Sequence, residues 1–443
     1  MAKSRVTDER RPGGITRAAD RGGRRALSNV GGATMVRGDR ELGAILESSL
    51  AVRADEEATR THVHGFHTYA ARMHPGTARR LVESFSKPAG RVLDPFCGSG
   101  TVLVEAMVLG RDAVGVDLNP LAVELSRVKT RPTTESERCQ LLELAKQVEA
   151  SAEERRRSRA GPTRRYGSLD RELFDVHVLL ELDGLRAGLD ALPRGASRCA
   201  LELVLSSILT KVSKQPGDTS AERVARRIAG GFTLRMFVRR AEELARQQAE
   251  FAALLPPSVP STEVALGDAR RLDAVLDRSV DLVVTSPPYP GVYDYLEQHA
   301  ARLRWLALDA TAFAAREIGA RRLLEPLGNE GAAKAWCSDH EQCLRAIARV
   351  LVPGGTAVLL MADSAIGDVP LFADRITREL AERAGLVAVA AASQPRPHFH
   401  DASRAAFGRH RRYEHALLLT RPPEAAMPTR RRRVLGARGS KRS

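Results

Sequence analysis

Asp94-Pro95-Phe96-Cys97-Gly98-Ser99-Gly100-Thr101 follows the short apolar run Arg91-Val92-Leu93 and opens a helical stretch over residues 102–109. Glycines at 98 and 100 permit a tight turn in which the backbone comes close to a ligand, where a Cβ would collide. The helix start offers unpaired N–H groups for a carboxylate, and Asp94 can meet an ammonium. That pairing suits the amino-acid end of a cofactor, with Phe96 and Thr101 completing the loop around it. A strand, glycine turn and helix are common to many nucleotide-binding folds, so the loop needs further features in register with it.

Two such features follow. The run Ala113-Val114-Gly115-Val116 ends in Asp117-Leu118-Asn119-Pro120. This places a carboxylate at a strand tip about twenty residues beyond the glycine turn, where a ribose diol is held, with Leu118 beside it. Val264-Ala265-Leu266 leads into Gly267-Asp268-Ala269. Asp268 can accept from an adenine amino group or, as the plainer alternative, cap a helix. Further strand-like runs lie at residues 281–284, at 356–361 after the turn Pro353-Gly354-Gly355, and at 415–420. Strands alternating with helical stretches predict an α/β, doubly wound, Rossmann-like sheet that is mostly parallel and binds its ligand at the strands' carboxyl ends.

The run at 281–284 ends in Thr285-Ser286-Pro287-Pro288-Tyr289. Two prolines fix the backbone and remove its donors, so successive carbonyls can face one spot without competing N–H groups. A base amino group requires such acceptors. The Ser286 hydroxyl and the Pro287 carbonyl suit its two hydrogens, and Tyr289 offers a ring for a flipped or single-stranded base to stack on. Cys97 invites a covalent mechanism, but it reads as a small buried residue of the loop.

Taken together, the octapeptide at Asp94, the acidic tip at Asp117 and Ser286-Pro287-Pro288-Tyr289 resemble the DNA amino-methyltransferases that modify cytosine N4 or adenine N6. The stretch His67-Thr68-Tyr69-Ala70-Ala71-Arg72-Met73-His74-Pro75 is similar to the segment these enzymes place against the cofactor's methionine portion. The resemblance covers roughly residues 62–130 and 263–365. It implies S-adenosylmethionine as cofactor, held by Tyr69, Arg72, Asp94, Phe96, Gly98, Gly100, Thr101, Asp117, Leu118 and Asp268. It implies Ser286, Pro287, Pro288 and Tyr289 as the catalytic segment, without a metal. Serine before the two prolines leans toward cytosine N4 over adenine N6. DNA is the expected partner; a restriction endonuclease partner is compatible with the resemblance but not readable from the chain. The alternatives are an RNA guanine-N2 methyltransferase, and a nucleic-acid-binding protein that keeps the fold without catalysis.

Residues 131–262 interrupt the alternation and look helical throughout, with basic stretches at 155–165 and 235–240. The expected organisation is a disordered basic tail over 1–45, a first methyltransferase part over 46–130, a helical insertion over 131–262 with a possible role in substrate recognition, a second part over 263–420 and a basic disordered tail over 421–443. Met35 opens a more ordinary sequence, as a downstream start would. Tyr293, Tyr295, Arg302, Arg304 and Trp305 follow the proline turn on one expected helix and are candidates for the base pocket or its phosphate approach. His398 and His400, near Arg404 and Arg409, form a polar loop that either meets substrate or is plainly solvated.

The 443 residues carry a formal charge of +15, of which residues 1–40 hold +6 and residues 421–443 hold +7. The body between them is thus near neutral, and the tails suit phosphates without sequence preference. Five scattered cysteines make no disulfide framework. Cys337, His340 and Cys343 share a helical face but lack a fourth ligand, so no metal is expected there. No apolar run approaches bilayer length, and the expected compartment is the cytoplasm.

Overall fold

In the computed structural model, which describes residues 33–51, 58–218, 220, 222–398 and 401–423, the run at Val92-Leu93 lies inside an eight-stranded sheet. The strands are β1 (Met35–Gly38), β2 (Arg91–Asp94), β3 (Asp112–Asp117), β4 (Thr262–Leu266), β5 (Val280–Thr285), β6 (Leu351–Ala362), β7 (Ser364–Ile366), β8 (Val369–Leu371), β9 (Val387–Arg396) and β10 (Arg412–Thr420). The order across the large sheet is β1-β9-β10-β6-β5-β2-β3-β4, and β7 and β8 form a separate small hairpin. Strands β4, β3, β2, β5 and β6 run parallel, and β10 is antiparallel to both β6 and β9.

Burial on both faces explains why β2 and β5 read as unbroken apolar runs. Val92, Leu282 and Val284 point to one face, where they pack with Leu81 and Leu103; Leu93 and Val283 point to the other, with Trp336 and Leu344. Helices Pro75–Phe85 and Thr101–Val108 cover the first face, and Gly328–Val350 and Ala373–Arg383 the second. This is the doubly wound architecture that the alternation predicts.

The insertion is helical, built on Glu135–Arg157, Val176–Asp190, Ala196–Val212 and Phe232–Leu254. Its apolar residues share one core with Leu121 and Leu125 of the helix Pro120–Thr130, so it packs directly against the cofactor half of the sheet. Many of its arginines face acids. Arg156 and Arg157 pair with Glu153, Arg164 with Asp183 and Asp190, and Arg240 with Glu243.

Three expectations need correction. The reading of 131–262 as helical throughout is too broad: residues 222–231 form no helix, and Phe232–Leu254 begins only after Gly231, whose φ of +75° suits a glycine break. The segment read as a disordered tail over 1–45 contains β1 and the start of the helix Arg40–Leu50, because β1 pairs with β9 and Asp39 caps the helix through Glu41 and Leu42 N–H. β9 itself is missing from the sequence reading. Residues 1–32 and 424–443, which hold most of the two basic tails, lie outside the described residues.

Candidate active site

The glycine turn closes at the carboxyl end of β2. Gly98 and Gly100 have φ of +50° and +81°. A Cβ on Gly100 would stand 2.9 Å from Ser126 Oγ, and one on Gly98 3.3 Å from the Tyr69 ring. Asp117 at the tip of β3 holds the turn in place by accepting from Gly98 N at 2.8 Å and from Asn119 N at 2.8 Å. Asn119 then caps the helix Pro120–Thr130 through Leu121 N–H, with Pro120 in the first turn, where its missing donor costs nothing.

Directly beside this turn, β5 delivers the second loop. Thr285 Oγ1 donates to Asp94 Oδ1 at 2.6 Å, joining the two strand ends. One cleft of about 880 Å³, measured out to open solvent, is lined by Tyr69, Arg72, Asp94, Phe96, Gly98, Thr101, Asp117, Leu118 and Asp268 together with Ser286 and Pro288. Residues from the segment before α/β entry, the glycine turn and the proline turn therefore face a single space. Gly100, whose Cβ position faces Ser126, and the buried Pro287 are both absent from the lining.

Electrostatics in the cleft favour a cationic ligand. Burial pushes Asp94 up to about 7 and Asp117 up to about 6, and among the described residues neither carboxylate has a cation paired with it. The hydroxyls of Ser99 and Thr101 are buried and make no hydrogen bond, which leaves them for a ligand carboxylate at the helix start. Burial pushes the Cys97 thiol well up. Its sulfur lies 3.7 Å from Ser126 Oγ, so it is packing in the loop and not a nucleophile.

Several expected residues serve elsewhere. The Asp268 oxygens receive four hydrogen bonds from Arg270, through its backbone N–H and guanidinium, which leaves little capacity for an adenine amino group. The Tyr289 ring is 6% exposed and packs with Trp336, Ile318 and Met361, so it does not present a stacking face to the cleft. Its hydroxyl makes no hydrogen bond of good geometry, although the Ser286 hydroxyl lies near enough to oppose the upward push of burial.

On the helix Tyr295–Trp305, only Tyr295 lines the cleft. Arg302 is buried against Asp218, while Arg304 and the Trp305 indole bond to Asp170, so these three fasten the helix to the insertion. His340 bonds to Thr377 Oγ1 and stacks on Trp336. His398 packs near the Phe407 ring, and His400 lies outside the described residues.

The cleft also contains residues that no motif announced. Tyr295 stacks near Tyr69 at 6.2 Å between ring centroids, and Asn119 Nδ2 bridges Tyr69 Oη and His299 Nδ1. Phe313, Glu317 and Ile318 close the cleft near Asp268 and Ala269. Glu317 is fixed there by Arg322 and by accepting from Tyr295 N. Only the aromatic spacing of Tyr293 and Tyr295 hinted at this wall. Among the described residues, His62, His64 and Glu105 form one group close enough to hold a metal ion, and Asp363, Asp374 and His415 another; neither lines the cleft.

The DNA methylase family profile matches residues 34–127, which include the glycine turn. Over 92 residues the chain is 34% identical to the type II methyltransferase M.MjaII of Methanocaldococcus jannaschii, covering 20% of this chain and 17% of that one. Over 77 residues it is 42% identical to the type II methyltransferase M.MvaI of Kocuria varians, covering 17% of each. Over 86 residues it is 41% identical to the tRNA (guanine(10)-N2)-dimethyltransferase of Methanothermobacter thermautotrophicus, covering 19% of this chain and 25% of that one. The match thus spans a quarter or less of these relatives' lengths. Among solved structures, TrmN from Thermus thermophilus aligns with 79% of this chain and 49% of its own at 14% identity, with a TM-score of 0.30.

The cofactor is S-adenosylmethionine, and the cleft fits it: among the described residues two buried carboxylates lack a cation and two buried hydroxyls lack a partner, and the turn between them has no room for a Cβ. On the segment that builds this cofactor loop, residues 34–127, the chain is similar to the DNA methylase family.

Proposed function

We propose that this protein transfers a methyl group to the exocyclic amino nitrogen of a base in DNA, with cytosine N4 favoured over adenine N6. The observation that carries the reading is the convergence of Ser286 and Pro288 with Asp94, Gly98 and Asp117 on one cleft, with Thr285 bonded to Asp94. In this reading Asp94 takes the cofactor's ammonium, Ser99 and Thr101 its carboxylate, and Asp117 its ribose. Tyr69 and Arg72 flank the methionine portion, and Phe96, Leu118 and Asp268 frame the adenosine side. Bound there, S-adenosylmethionine supplies an electrophilic methyl on a positive sulfur.

The chain's own task is orientation. Ser286 Oγ accepts an amino hydrogen and turns the nitrogen lone pair toward the methyl. The new N–C bond forms as the S–C bond breaks, and the nitrogen then releases one proton past Ser286 to solvent. Pro287 and Pro288 hold the acceptor still, since neither can rotate freely or offer a competing N–H.

Incubation of the protein with tritiated cofactor and either unmethylated DNA or transfer RNA, followed by nucleoside mass spectrometry, tests the reading. N4-methylcytosine in DNA is the expected product. The similarity to a tRNA guanine-N2 enzyme over 86 residues supports a second reading, which label confined to N2-methylguanosine in RNA would favour. Label in neither polymer, with cofactor bound, favours a binding protein on a methyltransferase fold.

A further inference from the structure

The connection between β9 and β10 lies at the edge of the sheet that holds the cleft. β6 runs parallel to β5, β10 returns against β6, and β9 runs forward again, so residues 397–411 stand at the same edge as the glycine and proline turns. Thr285 is level with Leu359, and Leu359 with Leu417. Ser286 is therefore level with Ala416, and Arg412 lies four residues nearer that edge, about 13 Å beyond Ser286 at 3.3 Å per residue. Across the sheet β10 is two strand spacings from β5 and β9 is three, about 10 and 14 Å. The connection thus forms a rim past the proline turn. It is braced there: Arg412 Nε donates to the Asp363 carbonyl at 2.7 Å, and the helix Asp401–Phe407 packs on β7 and β8. β7 in turn sets the Ala365 carbonyl 3.6 Å from where a Cβ on Gly291 would stand, just after the proline turn. Phe372, which follows β8, meets Phe407 edge-on with 5.6 Å between centroids.

This rim is basic in a way the rest of the body is not. Residues 397–412 contain Arg404, Arg409, Arg411 and Arg412 against Asp401 as the one acid. Arg412 is buried at the base of the hairpin, whereas Arg404, Arg409 and Arg411 are exposed and have no acidic partner among the described residues. Exposed Arg375 adds a further cation over the Phe372 ring, 5.4 Å from its centroid. The basic stretches of the insertion differ: Arg156, Arg157, Arg164 and Arg240 are each held by acids, as are Arg345 and Arg349 on the sheet's helical cover. Like charges crowded on one turn repel, and a row of phosphates relieves that repulsion.

Resting on the reading of the cleft as a DNA methyl-transfer site, we propose that Arg404, Arg409 and Arg411 bind the phosphates of duplex DNA to one side of the target base. Duplex DNA advances 3.4 Å per base pair, so a rim about 10 to 14 Å from β5 meets phosphates about three to four base pairs from the base that enters the cleft. Phosphate contacts set position and carry no sequence information, which is what three exposed, unpartnered guanidinium groups supply. Their task is to hold the duplex still while one base leaves the stack, a step that costs a few kcal/mol.

The test measures binding of the full-length protein to an unmethylated duplex by fluorescence anisotropy across a series of potassium chloride concentrations. A triple variant, Arg404→Gln, Arg409→Gln and Arg411→Gln, is compared with a control of equal charge loss at the opposite edge of the sheet. The control is Lys87→Gln, Arg278→Gln and Arg383→Gln, three exposed cations that precede β2, β5 and β9. Each phosphate contact contributes about 0.9 to the slope of log affinity against log salt, so the rim variant should lose roughly 2 to 3 from that slope and bind roughly 10- to 100-fold more weakly near 0.1 M salt. Its affinity for S-adenosylmethionine and its melting temperature should stay at wild type, and the control should keep the wild-type slope. Lysine at the same three positions should restore most of the slope, and Arg409→Gln alone should lose about a third of the change, which reports even if the triple variant fails to fold. A wild-type slope in the folded rim variant, or an equal loss in the control, would overturn the assignment of the rim. Wild-type protein that binds no duplex DNA even at low salt would overturn the DNA reading beneath it as well.

Discussion

Thr285 and Asp94, 191 positions apart in the chain, are joined by a hydrogen bond of 2.6 Å from the threonine hydroxyl to the aspartate carboxyl. This bond ties the strand that ends in the proline turn to the strand that ends in the glycine turn. In the proposed transfer it would fix the distance between methyl donor and methyl acceptor before either is bound, and such preset positioning supplies much of the rate of a transfer of this kind.

Asp94→Asn tests the ammonium contact. The amide can still accept from Thr285 but carries no charge, so cofactor affinity should fall by about 10- to 100-fold, the value of a hydrogen bond to a charged group. The unliganded fold should be as stable or more so, because a buried carboxylate is removed. Calorimetric titration with S-adenosylmethionine and thermal melting on the same sample check both halves.

Cofactor affinity should depend on pH through the same residues. Burial raises Asp94 to about 7 and Asp117 to about 6, so at pH 5.5 both are largely protonated in the free protein, and at pH 8 both are charged. An unfolded aspartate is already charged above about 4. These two groups therefore stabilise the unliganded fold less as pH rises from 4 through 7, while the ammonium of the cofactor is bound more tightly. Titrations at pH 5.5, 6.5 and 8 should show affinity increasing in that order; a flat profile would remove Asp94 from the ammonium site.

Gly100→Ala adds a methyl where φ is +81° and Ser126 Oγ stands 2.9 Å away. The strain should cost about 1–3 kcal/mol. Denaturant unfolding monitored by circular dichroism measures it, and cofactor binding should weaken as the turn shifts.

Arg302→Met leaves Asp218 buried without the guanidinium that bonds to it at 3.0 and 3.1 Å. Breaking one side of such a buried pair typically costs about 3–5 kcal/mol. The loss should appear first as proteolysis in the insertion, since Arg302 also bonds to Thr68 and so links the insertion to the segment before the cleft.

Legibility in the sequence followed the local signals. Val92-Leu93, residues 113–116 and residues 281–284 were readable as strands because they are short, apolar and bounded by glycine or proline. β9 was not, because its run Val-Ala-Val-Ala-Ala-Ala-Ser-Gln-Pro-Arg favours helix by composition, and pairing on both sides with β1 and β10 overrides that preference. β1 is four exposed residues without a pattern. The cofactor loop was legible residue by residue, since its glycines, acid and helix start are all local requirements. The far wall of the cleft was not, because Phe313 and Glu317 arrive there only through packing. Tyr289 was legible as part of the motif, but not its direction, which depends on the space left by Trp336 and Met361.

The most direct test of the account measures Ser286→Ala for methyl transfer to DNA and for cofactor affinity in the same preparation. Turnover should drop roughly 100-fold, as for a misplaced reacting group, while the affinity for S-adenosylmethionine stays within a few-fold of wild type. Transfer at the wild-type rate would contradict the claim that the proline turn presents the base to the methyl group.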